Sequence, residues 1–483
     1  MTVEPLDFYG DPPEYLRIKP EPYHPKILIA GAGIGGLTLG LLLKKANIDF
    51  EILEQKAEIK PLGSAVALGT AVAPLLQQLG LYDEFKKLGK PYTQLELFNE
   101  DLTPELVQDC SWIQEASTYQ EYILSKADLS SFLLRQLPAE KVHLNKRVLS
   151  FDQDDQDMVV RCSDGSVLQG DLLVGADGTH STVRQHLYKI LKARGVLPVV
   201  DEQPLPYSSV ALTGETEVLS EEEFPKLKER VSQFASILGT DNMCTWSIAS
   251  TAKNTIIWTV IRFLVQETST SEESLEWGRE AVEVMCNEVR GFKVPGGKDG
   301  KVLTLGDLID RTPKSAIVKQ PLEEKVFETW FSGRTVLLGD GGVSTLNTIT
   351  DAVTLANWIK TLPSSSPYIL ADALKEYDAE RRPVAREALD RSALYTTLVG
   401  KTVVSSAVRA VVKHILPTWF WRRLVTNHQL AVRPQVAYLE EVEERGSVGK
   451  KYQASLEKAR KILAEQEAEK DKVHPLCVAV SSM

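Results

Sequence analysis

A chain of 483 residues, 43% hydrophobic and 25% charged, is long enough for two or three domains with sizeable cores. A formal net charge of -11 excludes the concentrated Lys and Arg surface that a phosphate backbone requires, so nucleic acid is not an expected partner. The five cysteines, Cys110, Cys162, Cys244, Cys286 and Cys477, are odd in number and never form a CxxC pair; they predict neither a disulfide framework nor a metal site, but reduced thiols in a cytoplasmic protein.

Residues 1–24 are acidic and punctuated by proline, with no apolar stretch of the secretory kind, and predict an irregular arm. No run reaches the roughly 18 uncharged apolar residues of a membrane span. Residues 26–30 form a short apolar strand that ends at glycines, 37–46 an apolar helix, and 50–54 a second strand. That order is a βαβ unit, whose parallel strands demand a right-handed crossover. A helix is predicted over 71–90 and an amphipathic one over 121–138, with Leu129, Phe132 and Leu133 on one face. Strands follow at 148–151, 158–162 and from Val167, with Ser163, Asp164 and Gly165 as a turn, and 171–174 is again an apolar strand ending at Gly175.

Between about 200 and 330, strand-like stretches, clearest at 255–263, mix with helices such as 274–289. A strand at 335–338 then leads to Gly339 and Asp340, and a helix is expected over 351–360. Beyond Pro363 the pattern is mostly helical, and 456–472 is a charged helix of the solvated kind. The organisation expected is a first α/β part over 25–190, a second domain over 191–330, a return to the first domain over 331–362, and a helical C-terminal region over 363–483.

The chemistry begins in the first βαβ unit. Gly31, Gly33 and Gly36 fit GxGxxG between a strand and a helix: the first permits a tight turn, the second lets backbone approach a pyrophosphate, and the third lets helix and strand close up. Glu54 closes the next strand about 20 residues on, where an acid accepts from ribose hydroxyls and disfavours a 2′-phosphate. The nucleotide is then FAD or NAD rather than NADP.

Two further strand ends carry motifs: Gly175, Ala176, Asp177 and Gly178, and later Gly339 and Asp340. With GxGxxG, a DG pair and a GD pair in this order, the chain resembles the group A, aromatic-hydroxylase-like FAD-dependent monooxygenases from about Pro25 to about Leu439. It is closest to fungal members of secondary metabolism, judged by Gly63, Ser64 and Ala65, by 355–359, and by 433–436. The resemblance implies an α/β fold: a Rossmann-like FAD/NAD(P)-binding domain, a sheet-containing substrate domain and a helical C-terminal extension. It implies that Asp177 and Gly178 support FAD and the passing nicotinamide, that Asp340 accepts from the ribityl chain, and that the loop from Gly63 to Ala67 approaches the flavin. In that family NADH or NADPH reduces the flavin, O2 adds to it, and one oxygen atom passes to an electron-rich carbon of a small-molecule substrate. No Ser/His/Asp constellation is needed for this, and none is present; His180 and His186, flanking the DG segment, read as structural.

The sequence departs from the family at two places. Lys126 stands where the family carries Arg, keeping the charge but losing the planar fork. After Asp340 the chain runs through 341–350 without the family's Pro- and Gly-rich loop, whose following helix N-terminus faces the flavin. Three accounts stay open: a shortened loop in which Ser344 and Thr345 act as donors, a relative with a non-redox (isomerase or cyclase) or binding role, or a segment missing from the sequence. The helical pattern at 403–416, followed by Trp419, Phe420, Trp421, Arg422 and Arg423, fits either a core-packing helix or a peripheral membrane contact through 401–425.

Overall fold

The computed structural model describes residues 23–59, 64–239, 243–268, 277–298, 301–339, 344–399, 418–443 and 446–478. A six-stranded sheet is ordered Phe331–Ser332, Thr335–Leu337, Leu172–Gly175, Lys26–Ala30, Asp49–Leu53, Val142–His143. Its five inner pairings place Lys26–Ala30 parallel to both Asp49–Leu53 and Leu172–Gly175, with only Phe331–Ser332 antiparallel. Residues 27–30, 52 and 53, and 172–174 are almost completely buried, as expected of parallel strands covered on both faces. The helices Ile34–Lys45 and Thr345–Thr361 pack against each other, and Ala454–Val478 packs on the second of them. Every residue from Ile34 to Leu43 is buried, so the first helix is central to the core.

The second sheet has seven strands, ordered Val318–Glu323, Tyr207–Glu215, Ile256–Thr268, Cys244–Ser250, Phe234–Leu238, Gln94–Asn99, Pro104–Asp109. One face, with Leu212, Trp246, Trp258 and Val260, forms its own core with Met285 and Val289 of the helix Arg279–Val289 and with Leu305 and Leu308. The opposite face carries Thr213, Thr259, Ser247 and Ser236 in register across four adjacent strands. The hairpin of Gln94–Asn99 and Pro104–Asp109 belongs to this sheet although it falls inside the first sequence segment. Its parallel pairing with Phe234–Leu238 joins residues far apart in the chain, a feature no local pattern encodes.

Several elements differ from the sequence expectations. The region 71–90 forms two helices, Ala73–Gln78 and Tyr82–Leu88, because Gly80 takes φ +74° between them. Within 121–138, Tyr122–Ser125 is a strand, pairing with Ala65–Leu68 and Lys90–Pro91, and the helix is Lys126–Arg135. The four residues from Tyr122 to Ser125 are all buried, and partners on both sides overrule helical periodicity there. The helix expected at 351–360 starts earlier, at Thr345, and the one expected from 274 spans Arg279–Val289, with 274–276 outside the described residues.

At the C-terminal side, Pro367–Val399 is one long helix, and Thr418–Val425 a short one. Val425 and Leu430 sit against Trp112 and Ile113, and the Arg422 guanidinium stands 5.3 Å over the Trp112 ring. Residues 400–417 lie outside the described residues, and no described helix is long and apolar enough to cross a membrane.

Candidate functional site

The glycine loop is built by close approach. Gly31 leaves its strand at φ +102°, and a Cβ there would stand 2.4 Å from the Ala176 carbonyl oxygen. A Cβ on Gly36 would come to 2.0 Å from the Gly31 oxygen, so this residue sets the packing of the first helix turn. Gly33 is different: a Cβ would meet nothing nearer than 4.0 Å, and the residue faces open space. The helix Ile34–Lys45 has no side-chain cap and no acid in its first turn, leaving its first N–H groups and positive end for a ligand. Gly35, to which the sequence reading gave no role, is held small by Leu338 and Thr348, which a Cβ would approach to 2.5 and 2.7 Å.

Glu54 braces this loop. Its carboxylate accepts from the Ala32 N–H at 2.8 Å and from the Lys56 N–H at 2.9 Å. It borders a cavity of about 200 Å³ that also meets Gly31, Gly33, Arg147 and Asp177. Arg147 follows a strand from elsewhere in the chain, and no motif marked it. Asp177 turns its carboxylate to the helix Thr182–Ala193, accepting from the Ser181 hydroxyl at 2.5 Å and from the Thr182 N–H at 2.7 Å, while Gly178 takes φ +84°. Asp177 therefore shapes the turn as a helix cap, and Gly178 presents open backbone to the cavity.

A second cavity of about 370 Å³ continues from Gly33, Ala176 and Gly178, which border both. Its far end is the start of the helix Thr345–Thr361, where Ser344, Thr345 and Thr348 line the space. Gly339 also lines it, at φ +69°, with its N–H bound to the Asp351 carboxylate. Asp351 is buried against Arg381, with Oδ1 2.6 Å from Nε. Burial pushes the Asp351 carboxyl up, and the Arg381 charge pulls it back. The pair pins the turn at Gly339 to the two long helices. Asp340 and Gly63 lie outside the described residues. Ala67 is in the strand Ala65–Leu68, exposed, and borders neither cavity.

Lys126 enters the second cavity as the first residue of its helix. The start of that helix is fixed by Ser125, whose hydroxyl accepts from the Ala127 N–H at 3.2 Å and donates to Glu215, on the second sheet, at 2.8 Å. Burial alone lowers the Lys126 ammonium, which forms no side-chain hydrogen bond or ion pair with the described residues. On the opposite wall stand Gln320, Pro321, Leu322 and Glu323 of the second sheet's edge strand. The sequence reading named none of these four, since an edge strand carries no local sign of what it faces.

The two cavities form one groove, with a helix N-terminus at its middle and another at its far end. A family model described as an FAD binding domain matches residues 25–217. The FAD-dependent monooxygenase ausM of Penicillium brasilianum is 26% identical over 440 residues, covering 85% of this chain and 87% of its own. The FAD-dependent monooxygenase paxM of Penicillium paxilli is 28% identical over 374 residues, 73% of either chain. Klebsiella pneumoniae HpxO, solved with FAD and uric acid, shares the fold at TM-score 0.63 and 20% identity, over 83% of this chain and 95% of that one. A 2,6-dihydroxypyridine-3-hydroxylase from Arthrobacter nicotinovorans does so at TM-score 0.56 and 15% identity, over 79% and 94%. With an FAD-binding-domain match over 25–217 and such relatives along most of its length, the chain is similar to the FAD-dependent monooxygenases.

Proposed function

We propose that the groove holds FAD along its length, and that the protein uses NADH or NADPH and O2 to hydroxylate or epoxidise an apolar or aromatic small molecule. The observation that carries this reading is the continuity of the groove from Glu54, over the open face of Gly33 at the uncapped Ile34 helix, to the space before Thr345. The residues present fit the cofactor. Gly33 leaves a cradle that any side chain would fill, and the N–H groups of the Ile34 helix suit a pyrophosphate.

In this reading Gly31 and Gly36 build the turn, Glu54 takes a ribose hydroxyl while it braces the loop, and Gly178 lets backbone pass close to the cofactor. Gly339 and Asp340 receive the ribityl chain, the segment from Gly63 to Ala67 approaches the flavin, and Lys126 adds a positive charge where the family has Arg. Ser344, Thr345 and the N-terminus of the 17-residue helix behind them take the place of the family's longer loop, which favours the shortened-loop account. Bound flavin supplies hydride acceptance and oxygen activation. The protein's own part is to orient the substrate under the second sheet, exclude water, and place N–H dipoles where negative charge develops.

An absorbance spectrum of the purified protein, before and after addition of FAD and desalting, tests the reading. Retained flavin bands that bleach with NADH or NADPH and return with O2 support it. A protein that retains no flavin supports instead the non-redox scaffold. The described part of the C-terminal aromatic segment packs on Trp112, yet Trp419 is exposed. Pelleting with anionic lipid vesicles tests the membrane contact through 401–425, and protein found only in the supernatant removes it.

A further inference from the structure

One polar pair at the wall of the cleft has no part in the cofactor contacts just assigned. His180 follows Thr179 in the turn after Gly178, and its Nε2 stands 3.2 Å from Oε2 of Glu323, the last residue of the edge strand Val318–Glu323. The two ends of the pair see different surroundings. The His180 side chain is 69% exposed, whereas that of Glu323 is 10% exposed. Thr179 and Glu323 both line the larger cavity. A ring open to solvent thus touches a nearly buried acid that lines the cleft.

The charges around Glu323 are few. Burial raises its carboxyl above the ordinary glutamate range, and His180 and Arg184 pull it back. Arg184 lies 4.3 Å over the Phe327 ring and donates to the Thr179 carbonyl at 2.5 Å. On the same segment, Glu324 accepts from the Ser392 hydroxyl, and Lys325 is engaged by the carbonyls of Val200 and Gln203. Tyr207 is the cross-strand neighbour.

We propose that His180 and Glu323 are a proton-exchange pair connecting the cofactor cleft with bulk water. The inference rests on the monooxygenase reading. Its balance is NAD(P)H, one proton, O2 and substrate giving NAD(P)+, oxygenated substrate and water, so each turnover takes up one proton in a cleft that must exclude solvent. In the exchange, the neutral Glu323 carboxyl gives its proton to a base in the cleft. The carboxylate left behind takes the Nε2 proton of the His180 imidazolium, and the neutral ring is reprotonated by water. At each stage one bond to hydrogen breaks and one forms, and no electrons change hands. A carboxyl raised by burial lies closer in acidity to imidazole, which makes the transfer less uphill.

Two measurements test the pair. In the protein without flavin, an infrared pH titration should show a carboxylic-acid band above the ordinary glutamate range that is absent in Glu323→Gln. In His180→Ala the same band should titrate at higher pH, since the positive ring is lost. With FAD bound, His180→Ala should keep its flavin yet turn over about 10- to 100-fold more slowly above neutral pH, with added imidazole restoring the rate. An unmoved infrared band, or a His180→Ala enzyme with the wild-type pH profile, overturns the proposal and leaves the pair a strap between strand and turn. A wild-type protein that retains no FAD overturns the monooxygenase reading and the proton's role with it, whatever the infrared titration shows.

Discussion

At the scale of single residues, the three glycines of GxGxxG do three physically different jobs, and substitution should separate them. A methyl group at Gly36 meets the Gly31 carbonyl oxygen at 2.0 Å, so Gly36→Ala should destabilise the protein by about 1–3 kcal/mol, read by chemical denaturation. A methyl at Gly33 meets nothing closer than 4.0 Å. Gly33→Ala should therefore fold with near wild-type stability and yet lose about tenfold or more in FAD affinity, measured by fluorescence titration. Equal losses of stability in both variants would contradict this division. Lys126 offers a second comparison. Lys126→Ala should weaken FAD binding, and Lys126→Arg should match or exceed the wild type if the cavity has room for the planar fork. The type of each of these residues was legible in the sequence. What Asp177 does was not, because a carboxylate beside glycine looks the same whether it faces a ligand or caps the next helix.

Among secondary-structure elements, the junction of the turn at Gly339 with two long helices carries the most weight. Asp351 accepts from the Gly339 N–H and pairs with Arg381 out of contact with water. Removing one member leaves an unpaired buried charge, so Arg381→Leu should cost about 3–5 kcal/mol. The double variant Asp351→Leu with Arg381→Leu should recover much of that loss in thermal denaturation while still binding FAD poorly, because the Gly339 turn has lost its anchor. Recovery of both stability and FAD affinity would show that the pair does not position the turn. Neither the pair nor the strand Tyr122–Ser125 was visible locally. In the first case the partners are 30 residues apart on two helices, and in the second the pairing strands lie on either side of a helical pattern.

Across the whole molecule, the C-terminal helix Ala454–Val478 is tied back to the long helix by Glu380, whose carboxylate accepts from the Ser455 N–H at 2.8 Å. Burial raises the Glu380 carboxyl, and the Ser455 N–H pulls it back. With a folded value above the unfolded one, its contribution to stability is present in full below the unfolded value and is lost as pH rises through the folded one. Glu380→Gln, which cannot ionise, should therefore gain stability relative to the wild type between pH 4 and pH 7, as read from denaturant midpoints at the two pH values. A constant difference would mean that the carboxyl titrates alike in both states.

What the sequence determined by itself was the parallel-sheet scaffold and its cofactor class. The glycine spacing, the apolar strands flanking it and the acid about 20 residues on are local features with local physical causes: turn conformation, burial on both faces and a carboxylate that accepts from the Ala32 N–H of the loop. The tertiary structure alone decided which side chains share a wall. Arg147 reaches the groove from a connection, and Gln320 and Glu323 from a strand, that carry no motif, and Glu323 meets His180 because an edge strand of the second sheet closes over the DG turn of the first domain. Such contacts depend on how two sheets are set against each other. That arrangement is fixed by the packing of buried faces, which the order of residues along any single strand does not record.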